Sequence, residues 1–116
     1  MSAQLEAGYI AILGEALRAG HEATQGWDPN DWFPCGSGSV LVKPRNSKFA
    51  KWLIANGNDF TEASMVRIHD ADYKKAVIIR TNRFNQAMSP QCAWAAAVAE
   101  VLRAYDIKAD MWSYVD

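Results

Sequence analysis

Ser64-Met65-Val66-Arg67-Ile68-His69-Asp70-Ala71-Asp72-Tyr73-Lys74-Lys75-Ala76-Val77-Ile78-Ile79-Arg80-Thr81 is the stretch on which the fold turns. From Ser64 to His69, Val66 and Ile68 alternate with Met65, Arg67 and His69, the two-residue period of a half-buried strand. Ala76–Thr81 is rich in β-branched Val and Ile and reads as its partner. Asp70–Lys75 between them suits a hairpin connection, so the middle of the chain predicts an antiparallel pair.

Upstream, Ser39-Val-Leu-Val-Lys43 is a short β-rich run stopped by Pro44. Asn46 or Ser47 can then cap a helix with Phe49, Trp52 and Leu53 on one face and Lys48 and Lys51 on the other, with Gly57 as its stop. Downstream, Ser89-Pro90 places an N-cap before proline at the first helical position. The helix it opens would bury Trp94, Val98, Val101, Leu102 and Tyr105. Its small side, with Cys92, Ala96 and Ala99, suits close approach of the N-terminal helix or of a second subunit. Lys108–Val115 alternates Ala109, Met111 and Val115 against Asp110, Trp112 and Tyr114, a final strand.

The string is therefore βαββαβ, which predicts an α+β ferredoxin-like antiparallel sheet backed by helices. Ahead of it, Leu5, Tyr9, Leu13 and Leu17 recur four apart, which predicts an N-terminal helix over Ser2–Ala19 capped by Ser2 and stopped by Gly20. The expected organisation is one domain: an N-terminal helix in residues 1–25, an aromatic loop in 26–38 and the βαββαβ unit in 39–116.

With 116 residues, half of them apolar, the chain can build a core without metal or disulfide staples. Its longest apolar run, Cys92–Ala99, ends at Glu100 far short of the ~20 residues of a membrane span. Met1–Glu6 lacks the basic and apolar regions of a secretory signal, so a cytoplasmic location without membrane association is expected. Cys35 and Cys92 are too far apart in sequence for a C-x-x-C pair and read as free thiols of a reducing compartment.

Charge is segregated. Residues 1–42 hold one base against five acids, residues 43–83 nine bases against four acids, and the remainder two bases against four acids. Cations neutralise phosphates and aromatics stack bases, so the basic middle is a candidate nucleic-acid surface carried by Lys43, Arg45, Lys48, Lys51, Arg80 and Arg83. RNA-recognition βαββαβ sheets stack bases on aromatics of their first and third strands, whereas those strands here read Val40-Leu41-Val42 and Val77-Ile78-Ile79. A solvated basic surface over core aromatics is the structural alternative.

The loop Gly26–Gly38 is dense in Gly, Pro, Asn and Asp yet carries Trp27, Trp32 and Phe33. These either fold back over the core or, flanked by Asp28 and Asp31, anchor a protein partner. Cys35 before Gly36-Ser37-Gly38 could mimic a nucleophile beside an oxyanion hole, with His21 or His69 as the base. Burial of the thiol and positive φ at the glycines is the plainer reading. His69-Asp70-Ala71-Asp72 gathers three metal-ligand types, but neighbours on a strand point to opposite faces, so a polar hairpin tip is expected. No pattern calls for a metal, a cofactor or a catalytic residue.

The chain resembles a group of small proteins of tailed bacteriophages and prophages. The likeness rests on Cys35-Gly36 leading to Val40 and Lys43-Pro44, on Phe49-Ala50-Lys51-Trp52-Leu53, on Asn85-Gln86-Ala87-Met88, and on Ala99-Glu100-Val101-Leu102-Arg103-Ala104 with Ile107 and Asp116. Similar proteins follow Cys-Gly with aromatic and small residues, where this chain has Ser37-Gly38-Ser39. The resemblance implies a phage accessory protein in the bacterial cytoplasm and no particular reaction. The leading expectation is a noncatalytic module that docks a host or phage protein, such as a host defence factor, through Trp27, Asp28, Asp31, Trp32 and Phe33. Nucleic-acid binding by the basic middle and a small cysteine-dependent enzyme are the alternatives, and a homo-oligomer is compatible with each.

Overall fold

A computed structural model describes residues 2–28, 35–61, 65–84 and 87–115, with backbone alone for residues 114 and 115. Ser2 caps the first helix, α1 (Ala3–Ala23), its hydroxyl accepting from the Leu5 amide at 3.1 Å. The helix does not stop at Gly20. It runs one turn further, to Thr24, whose hydroxyl donates back to the Gly20 carbonyl at 3.0 Å. Gly20 faces α4 (Met88–Ala104), and a Cβ there would stand 2.6 Å from the Trp94 ring and 2.9 Å from Val98. The glycine marks a close helix crossing, which sequence reads as punctuation.

The sheet comprises β1 (Gly36–Lys43), β2 (Val66–Ala71), β3 (Ala76–Thr81) and β4 (Lys108–Val115), ordered β2-β3-β1-β4 with every neighbouring pair antiparallel. The α+β class, the N-terminal helix, the four antiparallel strands and the backing helices are as the sequence predicts. β1 begins three residues before the predicted Ser39. Gly36-Ser37-Gly38 is thus strand, and none of it has positive φ, contrary to the expected turn. Gly38 lets α4 approach instead: an added Cβ would lie 2.8 Å from the Cys92 amide nitrogen, and the Gly38 amide donates to the buried Gln91 side chain at 3.1 Å.

Ser47, rather than Asn46, caps α2 (Lys48–Trp52), its hydroxyl accepting from the Ala50 amide at 3.2 Å. The helical path continues past the predicted stop, through a π-helical turn (Leu53–Gly57) into α3 (Asn58–Thr61). Gly57 again serves contact, since a Cβ would meet Ile68 Cδ1 at 2.5 Å. Asn58 then caps the edge of β2: its side-chain amide donates to the Ile68 carbonyl and accepts from the Ile68 amide, both at 2.9 Å. Thr61 donates to the Val66 carbonyl at 3.0 Å. Side chains thereby occupy an otherwise open strand edge.

The turn between β2 and β3 is a 3₁₀ segment (Asp72–Lys74) closed by Lys75 at φ 52°, so β2 extends two residues beyond the predicted His69. α4 starts at Met88 after Ala87, which gives no side-chain cap, so Ser89 lies inside the helix. Its buried face is Trp94, Ala95, Val98, Ala99 and Leu102. Tyr105 is exposed, contrary to the sequence reading, and its hydroxyl donates to Glu15 of α1.

The principal core lies between the sheet and the helices. It combines Val40, Val42, Val66, Ile68, Val77, Ile79 and Ala109 of the strands with Leu13, Ala16, Phe49, Trp52, Leu53 and the α4 face. Tyr9 packs edge-on to Phe49 at 5.2 Å, which ties α1 to α2. No described helix is long and apolar enough to cross a membrane.

Candidate functional site

Among the described residues the helices pack on one side of the sheet and leave the other bare of helices. Strand alternation sends Leu41, Ala71, Ala76 and Ile78 to the bare side, where they form a second, small apolar cluster with Trp112 of β4 packed against it. All four are at most 6% exposed, so this floor is closed to solvent. Lys74, from the β2–β3 turn, places its ammonium 4.3 Å from the centroid of the Trp112 ring. Tyr73 beside it is 76% exposed.

The same alternation brings basic residues onto this face. Arg67 lies two positions from His69, which pairs with Ile78, and in register Arg67 stands opposite Arg80. Lys43 lies two positions beyond Leu41 and stands opposite Lys108. Two like-charge pairs thus sit directly across strands, an arrangement that repels. No hydrogen bond or ion pair among the described residues engages the side chains of these four. Among the described strand residues, Asp110 is the carboxylate that shares the face by alternation. His69 lies among them, and its pKa is depressed, first by desolvation and then by the Arg80 charge, with Asp70 opposing.

The six basic residues singled out in sequence do not converge. Lys43 and Arg80 lie on the bare face. Arg45 is committed to carboxylates: Nε and Nη2 donate to Asp70 at 2.5 and 2.7 Å, and Nη1 lies 3.3 Å from Asp72. That hydrogen bonding holds the Asp70 carboxyl below the usual aspartate range. Lys48 and Lys51 are exposed on α2, on the helical side of the sheet. Arg83 stacks over Phe84 at 4.9 Å and donates to His21 Nδ1 at 3.1 Å. Sequence reasoning missed Arg67, Lys74, Lys108 and Trp112 as partners of Lys43 and Arg80. The alternation around Arg67 and Trp112 was the available signal, but only strand pairing unites them.

Within the aromatic loop, Trp27 is half-buried and meets Phe84 edge-on at 4.9 Å. It therefore closes over the core, the first of the two roles open to it in sequence. Asp28 is exposed. Asp31, Trp32 and Phe33 lie outside the described residues, as do Asn85 and Gln86 of the phage-like pattern. Cys35 is exposed and its backbone bridges to Ala87, and no described hydrogen bond links its thiol to His21 or His69. Cys92 is half-buried against Gly38 of β1 while Ala96 is exposed, and α1 crosses α4 at Trp94 and Val98, so the small side of α4 does not receive the N-terminal helix as expected from sequence. His69 and Asp70 take opposite sides of β2, and Arg45 holds both Asp70 and Asp72, so this segment forms a salt-bridged hairpin end.

Comparison of the chain with protein-family models, with curated proteins and with solved structures finds no match in any of the three.

Proposed function

We propose that this protein is a noncatalytic binding module whose working surface is the bare sheet face, and that it takes single-stranded nucleic acid there. The observation that carries this reading is the pair of in-register like-charge contacts, Arg67 with Arg80 and Lys43 with Lys108. Such pairs lower stability in the free protein and are relieved when phosphates lie between them. Trp112 and exposed Tyr73 add aromatic surface at the same face, and Lys74 can exchange its ring contact for a phosphate.

We also infer that the sheet and its two crossings form the ferredoxin-like split βαβ arrangement. β3 lying between β1 and β2, and β1 lying between β3 and β4, support it. The setting implied by the sequence resemblance is a phage accessory protein in the bacterial cytoplasm.

The test is fluorescence anisotropy with a labelled oligothymidylate across a salt series. With five cations engaged, log K should fall against log salt with a slope of about −3.5, at ~0.7 per phosphate neutralised on a single strand. Replacing Arg67 and Arg80 together by Gln should flatten that slope by about 1.4 and yet raise folding stability by roughly 0.2–1 kcal/mol, because a repulsive pair is removed. A slope near zero, or loss of stability in the double variant, refutes the reading.

Docking of a host or phage protein by the aromatic loop is the second reading, favoured by exposed Asp28 beside Trp27. Capture of one protein, abolished in Trp32→Ala and insensitive to nuclease, would establish it over the first.

A further inference from the structure

A second surface, on the helical side, carries an inference independent of the sheet face. The C-terminal half of α1 stands away from the start of β2 and from the turn after β3, leaving a cleft of about 640 Å³. This is a volume typical of small-molecule sites. Its lining is divided. Arg18, His21 and Arg83 supply its cationic and imidazole lining, Phe60 and Met65 its apolar lining, and no carboxylate among the described residues lines it. Phe60 and Met65 are 48% and 53% exposed, so their apolar surface is open to a ligand.

The cationic lining is organised. Arg83 is positioned by its stack on Phe84 and by its hydrogen bond to His21 Nδ1. A guanidinium only donates, so Nδ1 must accept and the imidazole is left with its proton on Nε2. This lining therefore presents two guanidinium groups and the His21 Nε2 N–H donor. A doubly charged phosphate monoester matches this in charge and in donor number, whereas a carboxylate would leave one guanidinium uncompensated. Phe60 and Met65 offer an aromatic face and a thioether to a planar apolar group.

We propose that this cleft binds a small phosphate monoester bearing a planar ring, of the nucleoside-monophosphate class, with the phosphate on Arg18, His21 and Arg83 and the ring on Phe60. The experiment is isothermal titration calorimetry of the full chain with adenosine 5′-monophosphate, adenosine and inorganic phosphate as probes. Saturable binding of the monophosphate at one site is expected, tighter than either fragment by about tenfold or more, since both parts of the lining contribute. Arg18→Gln and Arg83→Gln should each weaken it by about tenfold, Phe60→Ala should weaken the monophosphate but not inorganic phosphate, and circular dichroism should show all three folded. Arg67→Gln with Arg80→Gln, on the sheet face, should leave it unchanged. Equal affinity for adenosine and its monophosphate, no saturation by ~10 mM, or loss of binding in the sheet-face variant in place of the cleft variants overturns the proposal.

Discussion

Replacing Gly20 and Gly8 by alanine, one at a time, should move stability in opposite directions although both lie within the same helix. Gly8 is exposed and a Cβ there meets nothing within 4 Å, so the substitution contributes helix propensity alone. The expected gain is up to ~1 kcal/mol. At Gly20 the same propensity gain is offset by overlap with three atoms: two of the Trp94 ring at 2.6 Å and one of Val98 at 2.9 Å. Trp94 is 2% exposed and Val98 fully buried, so neither can rotate into solvent. Overpacking of this kind costs roughly 1–3 kcal/mol, and the upper half of that range applies because the struck atoms belong to a confined ring. Gly20→Ala should therefore lose a net ~1–2 kcal/mol after the propensity gain. Urea denaturation followed by circular dichroism measures both variants. If Gly20→Ala equals or exceeds the wild type in midpoint at unchanged slope, the close crossing of α1 and α4 is wrong. The interpretation of Gly20 as a contact residue then falls with it.

Other consequences can be read with ordinary assays. Asn58→Ala removes both partners of the Ile68 backbone at the β2 edge and should lower stability by about 1–2 kcal/mol in urea; an unchanged midpoint would mean that water replaces the amide without loss. Asp70 has a folded-state pKa below its unfolded value, so its contribution is present above ~pH 4 and is lost as pH falls through the depressed value. Asp70→Asn should accordingly be less stable than wild type at pH 7, with the two converging under acid. A constant gap across the series would contradict the Arg45 pairing. Cys35 is exposed and Cys92 half-buried, so iodoacetamide should label Cys35 first and Cys92 slowly, as mapped by peptide mass spectrometry. The reverse order would displace α4 from β1.

Local pattern accounts for much of what the structure contains. The alternation of Val66 and Ile68 with Arg67 and His69, the β-branched run at Val77–Ile79, and the four-residue recurrence from Leu5 to Leu17 each encode an element through near-neighbour geometry. So do the caps at Ser2 and Ser47, whose hydroxyls reach amides three residues away. Glycine misled the reading for a physical reason. A missing side chain serves equally to end a helix and to admit a neighbour, and only the neighbour's position distinguishes the two. Trp94 against Gly20, Cys92 against Gly38 and Ile68 against Gly57 are contacts between residues far apart in the chain or across a turn.

The candidate sites divide in the same way. The sequence alone determined that residues 43–83 are basic, that Arg67 shares a strand face with His69, and that Trp112 and Asp110 alternate with Ala109 and Met111. The antiparallel register of four strands decided which charges meet, because a side chain's face follows from local alternation whereas its cross-strand partner follows from pairing over long separations. Register set Lys43 against Lys108 and Arg67 against Arg80, turned Arg45 toward Asp70, and left Lys48 and Lys51 on the other side of the sheet. The cleft of Arg18, His21, Arg83 and Phe60 was beyond the reach of pattern altogether. Its residues come from α1, from the turn after β3 and from α3, and only the packing of helices on a sheet brings such distant segments to one place.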